Sequence, residues 1–179
     1  MASREAHYIF AMSQTTVHLS LGSNVGDREE QLRRAIERLC PLGRVAQISS
    51  FYETEPVEFI EQPWFLNCAV ALETAMQPEP LMKSLLLLEE ELGRRRVQKK
   101  GPRMIDLDIL LFGDLIIHTG ELTIPHPAMQ GRRFVLEPLA EIAPQARHPV
   151  LKKTMRELLH ELPPGQGVRK VGPGEVRER

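Results

Sequence analysis

Aromatic side chains are scarce in this 179-residue chain: one Trp, two Tyr and six Phe, 5% in all. So thin a supply argues against a nucleic-acid-binding sheet, where exposed rings interleaved with basic residues stack on bases. Cysteine is rarer still. Cys40 and Cys68 stand in no metal-like spacing, which sets aside a disulfide framework and a zinc site; two reduced, largely buried thiols are expected. No apolar run exceeds five residues (8–12 and 68–72), far short of the ~20 that cross a bilayer. The opening MASREAHYIFAMS has too short an apolar stretch for a signal peptide. A cytoplasmic protein with no membrane or nucleic-acid partner is expected.

Net charge is almost absent too, since 23 basic and 24 acidic residues leave −1. The balance is uneven. Between Gly93 and Met104 lie Arg94, Arg95, Arg96, Lys99, Lys100 and Arg103 with no acid, so 17 basic residues face 24 acidic ones elsewhere. Positive charge concentrated in so few residues suits a compact anion; duplex DNA favours a broader basic face. Neither a Walker A loop nor a G-x-S-x-G elbow occurs.

What is present is an ordinary globular body, 42% hydrophobic and 26% charged, long enough for one domain. Residues 1–16 carry no amphipathic period and read as an extension. Residues 161–179 are a Pro/Gly-rich tail, expected to be poorly packed: seven of the twelve residues 163–174 are Pro or Gly. Between them, 17–160 reads as a single domain. Val17, Leu19 and Leu21 alternate as a strand, and Gly22 to Gly26 reads as a turn. Asp27 and Glu30 open a helix whose apolar residues Leu32, Ala35, Ile36 and Leu39 share one face, closed by Pro41 and Gly43. Strands follow at 45–52 and 65–73, joined by a long connection with Pro56 and Pro63. A second helix covers 80–92, a strand 104–112, and Gly113-Asp114 turns into 115–117. Thr154 with Glu157 starts a short helix. The fold class is α+β: a ferredoxin-like βαββαβ antiparallel sheet with helices packed on it, plus a C-terminal hairpin and short helices.

Fold alone does not give function. Asp106 and Asp108 lie two apart in a strand, so their carboxylates share a face at ~6.6–7 Å between Cα atoms, while Ile105, Leu107, Ile109 and Leu111 take the other. Carboxylates on an apolar strand are costly unless something positive meets them. Mg²⁺ takes one or two carboxylates plus substrate phosphates, and such a pair can hold two ions. Arg103 and the basic segment stand beside them, and Arg suits phosphate through its planar fork. His126 is held between Pro125 and Pro127 and can donate to a phosphate. Asn67 offers paired donor and acceptor groups to a heterocycle, and Phe65 and Phe134 can sandwich a flat ring. Each has a plainer reading as well: a polar strand face, a solvated loop, a turn histidine, a sheet amide, core aromatics. His18, His118, His148 and His160 read as structural or surface residues, and Trp64 as a lid or packing residue.

Read together, LSLGSNVGDREEQL, SSFYETEPV, QPWFLNCAVALET, LEEELGRRR, KKGPRMIDLDILLFGD and LTIPHPAMQGRRFVLEPLAEIAP resemble the 6-hydroxymethyl-7,8-dihydropterin pyrophosphokinase family of the folate pathway. The resemblance runs in register over about 17–159. Its most specific piece is G-P-R-x-x-D-L-D-[ILV]-L-x-[FY] at 101–112; P-H-P followed by R-x-F is a second. It implies transfer of pyrophosphate from ATP to the hydroxymethyl group of the dihydropterin, with release of AMP. It makes Asp106 and Asp108 the ligands of two Mg²⁺ ions and Arg94 and Arg103 catalytic arginines. Arg96, Glu89, Thr123, His126 and Arg132 become ATP contacts, and Thr54, Glu55, Val57, Phe65, Asn67 and Phe134 the pterin pocket. Asp106 is the expected proton acceptor or orienting group. The basic segment, one residue shorter than in some relatives and with Lys100 where an aromatic is frequent, is expected to close over ATP as a lid, contacting it through Arg95 or Arg96. The expected partners are these small molecules alone, on a monomer. The competing readings are another Mg²⁺-dependent nucleotidyl or phosphoryl transferase on the same fold, which has no use for the Phe65, Asn67 and Phe134 set, and a non-catalytic ferredoxin-like binding module.

Overall fold

The computed structural model describes residues 13–57, 61–94 and 102–172. Strand β1 (Thr15–Ser23) follows the expected alternation, and Gly22 and Ser23 belong to it rather than to the turn. The turn itself is shorter and ends on Gly26, which takes φ +66°, a left-handed conformation that glycine adopts without strain. Helix α1 (Arg28–Arg38) starts where Asp27 accepts a hydrogen bond from the Glu30 N–H at 3.0 Å.

The strand expected over 45–52 is two strands, β2 (Arg44–Ile48) and β3 (Phe51–Thr54). Two serines cause the break. Ser49 Oγ accepts from the Ala69 N–H at 2.9 Å, taking a ladder position with a side chain. Ser50 donates from its N–H and its hydroxyl to Glu141, at 3.0 and 2.8 Å. Next come β4 (Phe65–Thr74) and α2 (Pro78–Glu91), with proline tolerated in the first helical turn. After β5 (Asp106–Phe112), the short hairpin pairs β6 (Ile117–His118) with β7 (Thr123–Ile124). Helices α3 (Arg133–Ile142) and α4 (Met155–Glu161) follow, the latter with the Thr154–Glu157 capping box complete.

The last described element overturns part of the tail expectation. Val168–Val171 form β8, paired antiparallel with β3 from Phe51↔Val171 to Thr54↔Val168. The main sheet is antiparallel, ordered β5-β1-β4-β3-β8, with β2 also on β4. On one face Val17, Leu19 and Leu21 pack with Leu32 and Ala35 of α1 and Leu81 and Leu85 of α2. On the other, Ala69, Leu110 and Leu111 pack with Val135, Leu136 and Leu139 of α3 and Met155 and Leu158 of α4. Burying each of the Val, Leu and Met side chains among them is worth about 1.5–3 kcal/mol.

Leu111 was expected beside Ile109 but lies in the opposite core. His18 pairs with Leu111 and Leu19 with Ile109, so Leu110 is an extra residue in β5. Such a bulge reverses the alternation beyond it. Asp106 and Asp108 lie before the bulge and keep their shared face.

Candidate active site

That face, the α3 side of the sheet near the start of β5, carries an open cleft. Its floor is a row across three strands, in which Gly22 of β1 pairs with Asp106 of β5 on one side and Asn67 of β4 on the other. The next row sets Ser20 against Asp108. Gly22 separates a charged end from an apolar end without filling the space: a Cβ there would lie 2.5 Å from Asn67 Oδ1. Sequence reasoning took Gly22 for a turn residue and passed over Ser20. The signal was present, because both alternate with Val17, Leu19 and Leu21 and so face the other way.

At the charged end, Arg94 Nη1 lies 2.9 Å from Asp106 Oδ1, and Arg103 pairs with Asp106 Oδ2. Both oxygens of Asp106 are thus met by guanidinium groups. Burial drives Asp108 up to about 6, and the Asp106 charge adds to the shift while Arg103, Arg132 and Arg94 oppose it. Glu89 is buried beneath β5, accepts from the Leu107 N–H at 2.6 Å and pairs with Arg94. Burial pushes its carboxyl up to about 7, again helped by Asp106. Burial disfavours the Arg94 charge, yet Asp106 and Glu89 outweigh it and raise its pKa. His126 is held by its N–H donating to the Leu110 carbonyl at 2.9 Å. Its Nδ1 accepts from the Ala128 N–H at 3.2 Å, so in the neutral ring Nε2 carries the proton. Burial, with the Arg132 charge, lowers its pKa and keeps it neutral.

At the apolar end, Phe65 and Phe134 line the cleft with Asn67, Glu55, Val57 and Gln62. Asn67 Nδ2 donates to Thr54 Oγ1 at 2.7 Å, which fixes the amide so that its oxygen faces Gly22. Arg132 stands 5.6 Å from the Phe134 ring centroid, joining the two ends.

Of the residues singled out from the sequence, Arg103, Asp106, Asp108, Arg132, Glu55, Val57, Phe65, Asn67 and Phe134 line this one cleft. Thr54, Glu89 and Arg94 stand behind it, each bonded to a lining residue or to β5. Thr123 does not line it; its hydroxyl lies 3.5 Å from His118 Nδ1. Arg95, Arg96 and the rest of 95–101 lie outside the described residues, as does the lid expected there. Asn24 was missed altogether. Its side chain donates to Gln62 Oε1 and the Pro63 carbonyl at 3.0 and 3.1 Å and accepts from the Arg103 N–H at 2.8 Å. It ties the long connection to the start of β5.

The donor set suits a hard divalent cation. Two oxygen-only carboxylates share a face, one with its pKa raised by burial and its neighbour's charge, and a cation reverses that penalty. Among the described residues no group of three or more His, Cys, Asp or Glu converges, so a cation held by the two carboxylates would need water and ligand oxygens as well. Mg²⁺ fits that partial cage.

Comparison with known proteins gives a family. Residues 18–144 match the family described as 7,8-dihydro-6-hydroxymethylpterin-pyrophosphokinase (HPPK). A Bacillus subtilis protein named 2-amino-4-hydroxy-6-hydroxymethyldihydropteridine pyrophosphokinase is 48% identical over 130 residues, 72% of this chain and 78% of that one. The Aquifex aeolicus protein of the same name is 41% identical over 146 residues, 82% and 91% of the two chains. The Schizosaccharomyces pombe folic acid synthesis protein fol1 is 43% identical over 154 residues, 85% of this chain; the match spans only 21% of that longer protein. Among solved structures, wild-type Plasmodium falciparum HPPK-DHPS with STZ-DHP superposes with a TM-score of 0.67 over 83% of this chain and 43% of that one. At 17% identity it shows the fold alone.

Proposed function

The chain belongs to the 7,8-dihydro-6-hydroxymethylpterin-pyrophosphokinase family, and on that premise we propose that it moves the terminal pyrophosphate of ATP to the hydroxymethyl group of 6-hydroxymethyl-7,8-dihydropterin, releasing AMP. The row Asp106–Gly22–Asn67 carries the reading. It sets a carboxylate–arginine cluster fit for a metal-bound polyphosphate beside a ring-lined pocket with a fixed amide. A general phosphoryl transferase needs only the first half.

In this reading Asp106 and Asp108 would hold two Mg²⁺ ions, which would supply positive charge to the triphosphate. Arg94 and Arg103, both paired with Asp106, would bind phosphate oxygens through their planar forks. Arg132 adds positive charge from the apolar side, and His126 donates through Nε2–H. Phe65 and Phe134 stack the bicycle, Asn67 reads its edge, and Thr54 keeps that amide from flipping. The hydroxymethyl oxygen is thereby aimed at the β-phosphorus, and Asp106 accepts or orients its proton. Phosphoryl-type transfer asks little more of a protein than this positioning and charge. Glu89 acts behind the site, holding Arg94 and the β5 backbone, rather than as an ATP contact.

The strand order supports a ferredoxin-like βαββαβ frame with β8 added at its edge. We take 17–160 as one pyrophosphokinase domain and the protein as a cytoplasmic monomer. The test is AMP release by the full chain with ATP, Mg²⁺ and 6-hydroxymethyl-7,8-dihydropterin. AMP is expected in step with pterin consumed; folded protein giving none above a pterin-free control overturns the reading.

A further inference from the structure

The two outer walls of the ring pocket come from distant parts of the chain, and neither is held firmly by its own element. Phe134 sits in the first turn of α3, where backbone N–H groups have no intrahelical acceptor. Four residues on, Pro138 offers the Phe134 carbonyl no N–H. Glu55 lies just beyond the end of β3, where the sheet ladder no longer holds it.

One side chain spans both walls. Gln166 Oε1 accepts from the Phe134 N–H at 3.2 Å, and its Nε2 donates to the Glu55 carbonyl at 3.1 Å. The adjoining backbone grips Glu55 twice more. The Gly167 N–H donates to Glu55 Oε2 at 2.9 Å, and the Glu55 N–H donates to the Gly167 carbonyl at 3.0 Å. That approach needs glycine, since a Cβ at 167 would lie 2.7 Å from Glu55 Cδ. The strap is anchored beyond this point by the pairing of β8 with β3. Arg169 also meets the fully buried Glu53 at 2.7 Å. The other Glu53 oxygen accepts from Arg28, which donates to the Trp64 carbonyl beside Phe65, so the third wall joins the same network.

We propose that Gln166 is a positioning residue for the heterocycle: by bridging Glu55 and Phe134 it sets the gap between the pocket walls and hence the affinity for the bicyclic substrate. This rests on reading the cleft as a pterin pocket. Among the described residues Gln166 bonds to Glu55 and Phe134 and not to Arg94, Arg103, Asp106 or Asp108, so the larger effect falls on the heterocycle.

Titration calorimetry on the full chain tests this, with 6-hydroxymethylpterin and, separately, a non-hydrolysable ATP analogue with Mg²⁺. Gln166→Leu removes both bonds and is expected to weaken pterin binding about tenfold while nucleotide affinity stays within about twofold. Gln166→Glu keeps an acceptor for the Phe134 N–H but loses the donor to Glu55, and falls between the wild type and Gln166→Leu. Unchanged pterin affinity in Gln166→Leu overturns the proposal. So does a parallel loss of both ligands with a lowered Tm, which marks general loosening. A wild-type protein that binds no pterin defeats the functional reading itself, and this inference with it.

Discussion

A methyl group on Gly22 would meet Asn67 Oδ1 at 2.5 Å, well inside contact distance of an amide that Thr54 holds from its other end. The amide has nowhere to turn without losing that bond, whereas the backbone of Gly22 is extended strand that alanine adopts readily. Gly22→Ala is therefore expected to raise KM for the pterin about tenfold, the scale of one lost polar contact. KM for ATP should stay near wild type, with Tm lowered by about 2–4 °C through the lost Asn67–Thr54 bond; steady-state kinetics with each substrate varied in turn checks this, and equal rises in both KM values count against it. Residues of this kind were only partly legible in the sequence. Asp106, Asp108 and Asn67 stand out because polar groups interrupt apolar strands, whereas Phe65 and Phe134 read equally well as core and are set apart by the family resemblance. Gly22 and Ser20 are recognised only once the neighbouring strands and their register are known.

Among the connecting elements, Asn24 does most to hold the site together. Its side chain joins Gln62 and Pro63 to Arg103 by three hydrogen bonds while the residue is 2% exposed. Asn24→Ala leaves the Arg103 N–H without its acceptor and is expected to cost about 2–3 kcal/mol, at roughly 1 kcal/mol per bond. Both Arg103 and the Phe65 wall lose their seat, so kcat should fall together with the affinity for both substrates. Chemical denaturation and steady-state rates measure the two effects. Thr154→Ala is the contrasting case. It removes a capping box far from the cleft and is expected to lower stability by about 1 kcal/mol with kcat unchanged. The elements were legible wherever apolar spacing was strong, as in β1, α1 and α2. The sequence hid β8, because Val168 and Val171 flank Arg169 and Lys170 in a Gly/Pro-rich stretch, and an edge strand owes its existence to the partner it pairs with. The bulge at Leu110 was hidden for the same reason: only the pairing with β1 reveals an extra residue.

For the whole molecule, the site makes stability depend on pH. Asp108 is raised to about 6 and Glu89 to about 7, by burial first and then by the charge of Asp106. Such carboxyls keep their protons in the folded protein where the unfolded chain has lost them. Their contribution is therefore present at low pH and is lost as pH rises from about 4 through 6 to 7. Glu141, lowered by bonds from Tyr52 and Ser50 that outweigh burial, and Glu157, lowered by its bonds to Thr154, act in the opposite sense, but only below about 4.5. Burial also lowers the pKa of His18, His126 and His148, and their stabilisation grows as pH rises towards 6.5. A comparison at matched pH cancels these other groups. The Tm of Asp108→Asn is expected to gain on the wild type as pH rises from about 4.5 to 7, and saturating nucleotide with Mg²⁺ should reverse the gain. Thermal scans across that range decide it; a constant difference refutes the assignment.

Strand β8 has one more consequence, for solubility. The row of β3 that it covers, Phe51 to Thr54, has unsatisfied backbone donors and acceptors if the covering strand is lost. An exposed row of that kind is a template for pairing with another chain. With β8 in place the sheet instead ends on Arg169 and Lys170, whose charge discourages edge-to-edge stacking. Chains cut before Val168 are thus expected to aggregate.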